Sequence, residues 1–345
     1  MTNHGPQFLY IGAPRAGSTW LYQNLRQHSD VWVPPTKAVN YFHPRFATYR
    51  AQRFVSFWPD MISHPNPKTR AWYRDYFGRR TVDDLWYAAL FPRHRIAGEI
   101  AESYCSLDDT GVRRIRSLYP HLRVIITLRN PMERALSQAK YGLAVRRGRR
   151  TAEVPASDFI RHLVHPNSVD RSNYTRMLDI WGGLFPDHFM ILFYELLCED
   201  PEGYLAKICR FLGAEFHPKH FDATLRTVAN CSSQTSLPPE VVTFAARLYE
   251  AEIAALASRL GGPATTWLRD VEAIIAASTF GTARLRFLPP EVTGVPRSRS
   301  RTGNRWWIKI VAEGMYVAVA AAAMIERWRR LWGKVTRMAP RWRST

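Results

Sequence analysis

A glycine-containing turn between an apolar run and an amphipathic helix restricts the fold more than any other feature of this sequence. The apolar run at 8–12 has the length of a strand, and residues 10–20 read YIGAPRAGSTW. Gly12 and Gly17 permit a tight turn, and Leu21 and Leu25 then lie on one face of a helix. The amide N–H groups at such a helix start surround an anion. We therefore predict a phosphate-binding loop at the edge of a parallel sheet.

Further apolar runs alternate with helical patterns along the chain. Strands are predicted at 8–12, 95–99, 123–128 and 188–194. Helices are predicted after the loop, after Asn130, and at 173–184, 201–212 and 238–260. Asn130 is a suitable N-cap, because Pro131 and Glu133 follow at the first and third helical positions. The alternation predicts an α/β fold with a central parallel sheet flanked by helices.

Composition divides the chain into a domain at 1–278 and an extension at 279–345. Within the domain, residues 46–80 are rich in aromatic residues, arginine and proline, and we predict an irregular insertion that could wall a cleft. The extension is basic and rich in Trp and Arg: residues 281–345 hold 14 Lys or Arg and 3 acidic residues, against a net charge of +19 for the whole chain.

The apolar part of this extension is too short to predict a membrane-spanning helix. Its uncharged run, residues 314–325, falls below the roughly 20 residues that a spanning helix needs. Trp and Arg flank it on both sides, a pattern typical of a helix at an anionic membrane surface. A helix docked on the protein's own core is an equally open interpretation.

Charge and cysteine usage limit the partners and the compartment. The moderate positive charge outside the extension fits a polyanionic nucleotide ligand, and no base-reading module for a specific nucleic acid is recognisable. Residues 1–7 contain neither a secretion signal nor a membrane anchor. The four cysteines form no CxxC pair and are expected to be reduced thiols. We predict a cytoplasmic protein, peripheral at the inner membrane surface if the extension binds lipid.

The loop differs from that of kinases and ATPases. Ser18 occupies the lysine position of the GxxxxGK[ST] pattern, and the apolar strand at 123–128 ends in Arg129 rather than in a magnesium-binding Asp. The histidine pairs at 162/165 and 217/220 lack the spacing of metal ligands. We expect no metal, and a P-loop kinase is a disfavoured alternative.

A second anion site is predicted where Arg129 follows its strand, since ligands of open α/β folds bind at the carboxyl edge of the sheet. Ser137 lies two helical turns beyond Asn130 and returns to the same helix face. Arg129 and Ser137 together could hold a second phosphate. An arginine that only caps or pairs at the surface is the alternative.

Together, these segments resemble the family of sulfotransferases that use 3′-phosphoadenosine-5′-phosphosulfate (PAPS), in particular its carbohydrate and heparan sulfate members. Residues 14–21, PRAGSTWL, are similar to the family's 5′-phosphosulfate loop, and residues 123–137, RVIITLRNPMERALS, to its 3′-phosphate motif. Weaker collinear similarity extends the resemblance over residues 8–268. It implies a three-layer α/β fold like that of P-loop NTPases, PAPS as donor, adenosine 3′,5′-bisphosphate (PAP) as product, and no metal.

The resemblance also implies roles for individual residues. Arg129 and Ser137 would anchor the 3′-phosphate, and Arg15 would also stabilise the charge that develops on the bridging oxygen as the sulfuryl group leaves. The residues implied to bind the 5′ end are Pro14, Arg15, Ala16, Gly17, Ser18, Thr19 and Trp20.

The family's proton acceptor is not where the resemblance places it. Carbohydrate-type relatives have a glutamate in a segment similar to residues 37–42, whereas this chain has Ala38. Ile100 and Glu102 stand where relatives commonly have Lys and Pro. We predict His43 or Glu99 as the catalytic base; Glu102, an acceptor that needs no strong base, and a domain without catalysis are the alternatives.

The acceptor itself is expected to be a small molecule, a glycan or a lipid-linked molecule with a hydroxyl or amine group. Carbohydrate or glycolipid is the favoured class. A sulfotransferase-like nucleotide-binding protein with impaired catalysis is the principal alternative.

Overall fold

The computed structural model describes residues 5–79, 81–226 and 237–278. These residues fall into two compact units, one made of residues 5–46 and 78–278 and the other of residues 47–77. The extension at 279–345, with its predicted surface helix, lies outside the described residues. No helix in the described ranges is long and apolar enough to cross a membrane.

The first unit is built on a five-stranded parallel sheet. Its strands follow the order β2-β3-β1-β4-β5. They are β1 (Phe8–Gly12), β2 (Val31–Trp32), β3 (Ile96–Ile100), β4 (Arg123–Leu128) and β5 (Phe189–Phe193). The predicted α/β fold and its four strands are confirmed, and only the two-residue β2 was missed.

Helices connect these strands, which is the arrangement that a parallel sheet requires. The described helices are α1 (Ser18–Leu25), α2 (Phe46–Ser63), α3 (Pro67–Gly78), α4 (Asp84–Ala89), α5 (Asp109–Leu118), α6 (Pro131–Leu143), α7 (Ala156–Leu163), α8 (Pro166–Asp170), α9 (Tyr174–Leu184), α10 (Tyr194–Glu199), α11 (Pro201–Leu212), α12 (Pro239–Leu260) and α13 (Pro263–Ala277). A 3-10 helix, Glu102–Ser106, follows β3 directly.

The central strands are apolar because both faces of the sheet are covered. All five residues of β1 are buried, and Leu128 of β4 is fully inaccessible. Gly98 in β3 permits close packing, since a Cβ atom there would lie 2.3 Å from Cδ1 of Phe8. Phe8 and Gly98 are register partners in the parallel pair of β1 and β3. Because β1 pairs in parallel with both β3 and β4, the carboxyl ends of these three strands lie at one edge of the sheet.

The start of α6 follows the predicted capping pattern in part. Asn130 Oδ1 accepts a hydrogen bond from the amide of Met132 at 3.0 Å, and Pro131 is the first helical residue. Glu133 does not close the capping box, because its carboxylate pairs with Arg129.

The prediction of an irregular insertion at 46–80 is wrong. This segment forms α2 and α3. Its residues 47–77 make up the second unit. Aromatic residues spaced for one helix face drive the second of these helices, since Trp72 and Tyr76 stack at 5.0 Å between ring centroids.

The expectation of four reduced cysteines is also wrong. Cys105 and Cys209 are free and buried, and burial raises the pKa of each thiol to about 12. Cys198, in contrast, is disulfide-bonded. Cys231 lies outside the described residues.

Candidate functional site

The predicted phosphate loop joins β1 to α1 at the carboxyl edge of the sheet. Gly17 precedes the first helical residue with φ of +86°, a left-handed conformation that favours glycine. The amide of Ala13 donates to the carbonyl of Thr127 at 2.8 Å, and the Tyr10 hydroxyl donates to the carbonyl of Ala16 at 3.2 Å. These contacts fix the loop to its own strand and to β4. The amide groups of the first turn of α1 lack intrahelical acceptors and can face an anion.

A lysine that the sequence analysis did not single out reaches the start of this helix. Lys37 Nζ donates to Ser18 Oγ at 2.8 Å and to Thr19 Oγ1 at 3.4 Å. It also pairs with Glu102 Oε1 at 3.0 Å. The helix start thus has a positive charge beside its free amides, and both features attract a phosphate or sulfate group.

Arg129 lies beside the same loop, directly after β4. Its Nη1 donates to the carbonyl of Arg15 at 3.1 Å, and its guanidinium lies 4.8 Å from the centre of the Tyr194 ring. Nε and Nη2 donate to Glu133 Oε2 at 3.2 and 3.1 Å. The Arg129 side chain is only 4% exposed. A phosphate bound at Nε and Nη2 of Arg129 would therefore have to displace Glu133.

The two predicted motifs meet through Arg15 and Ser137. Arg15 Nε donates to Ser137 Oγ at 3.2 Å, and the Arg15 guanidinium lies 4.7 Å from the centre of the Tyr141 ring. Burial lowers the pKa of Arg15 from its ordinary value, and the charge of Arg129 lowers it further. Among the described residues, Glu133 pairs with Arg129 alone. Arg15 and Lys37 therefore leave the site positively charged, and this arrangement fits an anionic ligand.

The remaining loop residues differ in what they offer to a ligand. Pro14 and Ala16 are buried and contribute backbone only, whereas Thr19 is exposed. Trp20 is 6% exposed and donates from Nε1 to the carbonyl of Thr224 at 2.9 Å. Its indole also packs edge-on against Tyr204. Trp20 therefore anchors α1 to neighbouring elements.

The environment of Glu99 favours a positioning role over the catalytic role predicted from sequence. This residue is 0% exposed, and its Oε1 accepts from the amide of Asn40 at 2.6 Å. Its Oε2 accepts from the hydroxyls of Tyr87 at 2.6 Å and Tyr104 at 3.2 Å. Burial and the Glu99 charge hold the pKa of both tyrosines well above its ordinary value. A carboxylate enclosed in this way orients the segment around Asn40, whose φ is +62°.

His43 lies at the end of that segment and is half-buried. Burial lowers the pKa of His43, and the positive charges of Arg171 and Arg45 lower it further. The neutral ring accepts a hydrogen bond at Nδ1 from the amide of Arg45 at 3.0 Å. Its Nε2 atom would then carry the ring proton, so His43 in this tautomer is a donor rather than a base.

Ala38, which replaces the expected glutamate, is buried and has no ionisable group. The sequence analysis missed three residues of this site, namely Lys37, Glu133 and Tyr194. Lys37 adjoins the segment that drew attention to Ala38, and Tyr194 directly follows β5 at the ligand-binding edge. The positions of Lys37 and Tyr194 were thus signals that could have identified them.

No group of three or more His, Cys, Asp or Glu residues in the described ranges could hold a metal ion. A cleft of about 700 Å³ opens at the other edge of the sheet, beside Gln7, Arg93, His121 and Arg123. These residues lie at the amino ends of β1, β3 and β4, whereas the phosphate loop follows the carboxyl end of β1. We place the functional site at the loop, because the helix start and the buried cations lie there.

Comparison with known proteins agrees with this geometry. Residues 6–218 match a family model described as the sulfotransferase family. Human heparan sulfate glucosamine 3-O-sulfotransferase 6 is 27% identical over 226 residues, which cover 63% of this chain and 55% of the relative. Membrane-associated sulfotransferase kil1 of Dictyostelium discoideum is 25% identical over 160 residues, or 46% of this chain and 27% of the relative. The chain thus spans about half the length of its human relative.

A solved structure shares the fold. The sulfotransferase from Alicyclobacillus acidocaldarius superposes with a TM-score of 0.51 at 20% sequence identity. The superposition covers 76% of this chain and 98% of the other.

Proposed function

The chain belongs to the sulfotransferase family, and we propose that it transfers a sulfuryl group from PAPS to a hydroxyl or amine of a carbohydrate or glycolipid acceptor. The match covers residues 6–218, which include the phosphate loop and the segment from Arg129 to Ser137. Both predicted anion-binding motifs therefore belong to the part of the chain that is similar to the family.

One observation carries the proposal: the Arg15 side chain contacts Ser137 at 3.2 Å, while the Arg15 carbonyl accepts from Arg129 at 3.1 Å. The loop after β1 and the motif after β4 therefore form a single cationic site. A ligand with phosphate groups at both ends of an adenosine matches such a site better than one with a single phosphate chain. This match supports PAPS over ATP as donor.

Each residue would have a distinct part in the transfer. The amides at the start of α1, with Lys37, would bind the 5′-phosphosulfate. Arg15 would stabilise negative charge on the bridging oxygen as the bond between that oxygen and sulfur breaks. Arg129 and Ser137 would hold the 3′-phosphate after Glu133 moves aside. No metal is needed in this scheme, because protein cations and amides neutralise the developing charge.

The relatives support a carbohydrate acceptor. The human relative acts, by its name, on the glucosamine of heparan sulfate, and the Dictyostelium relative is described as membrane-associated. A lipid-linked acceptor and a cytoplasmic location at the inner membrane surface form a further part of the proposal, motivated by the basic extension. Co-sedimentation with anionic liposomes, with and without residues 300–345, tests that part, and equal pelleting of both forms would contradict it.

Two measurements test the central proposal. Calorimetric titration should detect PAP binding at least tenfold tighter than ATP binding. Radiolabelled sulfate should pass from PAPS to heparan sulfate or to a crude glycolipid extract. Preferential ATP binding would indicate a kinase instead. PAP binding without any transfer would indicate a nucleotide-binding protein with impaired catalysis. This outcome is worth testing because Ala38 stands where carbohydrate-type relatives have a glutamate.

A further inference from the structure

Glu102 is placed beside the phosphate loop by the backbone itself. It begins the 3-10 helix that follows β3, at the sheet edge where β1 ends. The amide of Ala101 donates to the carbonyl of Tyr10 at 2.9 Å. A Cβ atom on Gly12 would lie 3.6 Å from the Glu102 carbonyl oxygen. The chain around Glu102 is therefore fixed against the start of the loop.

The side chain of Glu102 points to the same place. Its Oε1 pairs with Lys37 Nζ at 3.0 Å, and the same ammonium donates to Ser18 Oγ at 2.8 Å. A single ammonium group thus separates the carboxylate from the helix start that would bind the donor. Lys37 holds the Glu102 carboxylate in one orientation, as a positioning residue does for a reactive group.

The second oxygen of this carboxylate lacks a hydrogen-bond partner within the described part of the chain. Glu102 Oε2 is buried and accepts no hydrogen bond from any described residue, although the side chain as a whole is 31% exposed. A buried carboxylate oxygen without a donor is unfavourable, so its vacancy favours the binding of a molecule that carries an O–H or N–H group. Such groups are the ones that a sulfuryl acceptor presents.

The other candidates for the proton acceptor lack a comparable atom. Glu99 is fully buried and accepts hydrogen bonds at both oxygens. His43 accepts at Nδ1 from a backbone amide. Ala38 cannot ionise. Glu102 therefore combines the chemistry, the orientation and the free lone pairs that proton transfer requires.

We propose that Glu102 accepts the proton of the acceptor in this site, oriented by Lys37; this inference rests on the proposed sulfuryl transfer. As the acceptor oxygen or nitrogen attacks sulfur, its proton passes to Glu102 Oε2. The new bond to sulfur forms while the bond between sulfur and the bridging oxygen breaks, and that electron pair stays on the 5′-phosphate of PAP. Glu102 then returns the proton to solvent.

The test compares Glu102→Gln, Glu102→Asp and a matched control. Glu202→Gln serves as control, because the Glu202 side chain is 32% exposed and pairs with Arg226 at 2.7 Å rather than with Lys37. Turnover is measured as transfer of radiolabelled sulfate from PAPS to heparan sulfate or the glycolipid extract. PAP affinity is measured by calorimetry on the same preparations.

Glu102→Gln should lower kcat by about 100- to 1,000-fold, the usual contribution of a general base, and should leave the Kd for PAP within about threefold. Glu102→Asp, which keeps the carboxylate, should retain turnover at a reduced rate. Glu202→Gln should behave like the wild type.

Full turnover in Glu102→Gln, or equal losses in Glu102→Gln and Glu102→Asp, would overturn the assignment while leaving the proposed function intact. If the wild type failed to bind PAP, or bound it without transfer, the proposed function would fall, and the role of Glu102 with it.

Discussion

The Arg15 guanidinium donates from Nε to the Ser137 hydroxyl at 3.2 Å, joining residues 122 positions apart in the sequence. Arg15 Nε has one hydrogen atom to donate, so Ser137 orients the cation. Orienting a cation before the ligand arrives reduces the entropy lost on binding.

We expect Arg15→Ala to weaken PAP binding by about 10- to 100-fold, as the loss of a charged hydrogen bond predicts, and Ser137→Ala by several-fold. The double variant should lose less affinity than the two single losses combined, because the side chains act through one contact. Calorimetry at fixed ionic strength measures all three. Arg113→Ala, which removes an exposed arginine paired with Asp109 on α5, is the control and should bind normally.

A second prediction concerns Glu133, whose carboxylate pairs with the Arg129 guanidinium in this structure. Removing its charge frees Nε and Nη2 of Arg129 for the 3′-phosphate, so Glu133→Gln should raise PAP affinity by about two- to fivefold. Glu153→Gln is matched to it, since Glu153 is 42% exposed against 39% for Glu133 and also pairs with an arginine one turn away. Weaker PAP binding in Glu133→Gln would mean that this carboxylate orients Arg129 rather than competing for it.

A third prediction separates the backbone strain of an alanine at Gly17 from the steric clash of its Cβ atom with Leu197. Gly17 and Gly213 have φ of +86° and +78°, so an alanine at either position costs about 1 kcal/mol in backbone strain. Only at Gly17 does the new Cβ meet a neighbour, at 2.2 Å from Cδ2 of buried Leu197. Gly17→Ala should therefore lower the free energy of unfolding by about 3 kcal/mol and Gly213→Ala by about 1, measured by urea denaturation. Equal losses would show that Leu197 moves aside without cost.

A fourth prediction concerns acid stability. Burial lowers the pKa of His43 and of His162 below the ordinary value of 6.5. Above about pH 6.5 both rings are neutral whether the chain is folded or not, so neither affects stability. Below that pH the unfolded chain takes up protons before the folded protein does, and the free energy of unfolding falls.

The double variant His43→Gln, His162→Gln should therefore lose less stability than the wild type between pH 7.5 and 5.5. Urea denaturation at both pH values measures the difference. Carboxylates titrate mainly below this window and are common to both proteins. Identical pH dependence in the two proteins would show that these rings are not desolvated in solution.

Local sequence patterns were sufficient for four of the five described strands and for the turn after β1. The runs at 8–12 and 123–128 coincide with β1 and β4, because a strand covered on both faces must be continuously apolar. The placement of Arg129 at the carboxyl edge followed from its position after such a strand. Segment 46–80 was misread because its prolines suggested a break, whereas Pro67 is the first residue of α3 and Pro59 lies within α2.

The sequence by itself determined four of the five described strands, the glycine turn after β1 and the arginine after β4, since each depends on residues close together in the chain. Only the tertiary structure decided which carboxylate is enclosed and which has a free oxygen. Glu99 and Glu102 are three positions apart, yet one is enclosed by Asn40, Tyr87 and Tyr104 and the other pairs with Lys37. Solvation and hydrogen-bond partners set the chemistry of a carboxylate, and here distant segments of the chain supply both.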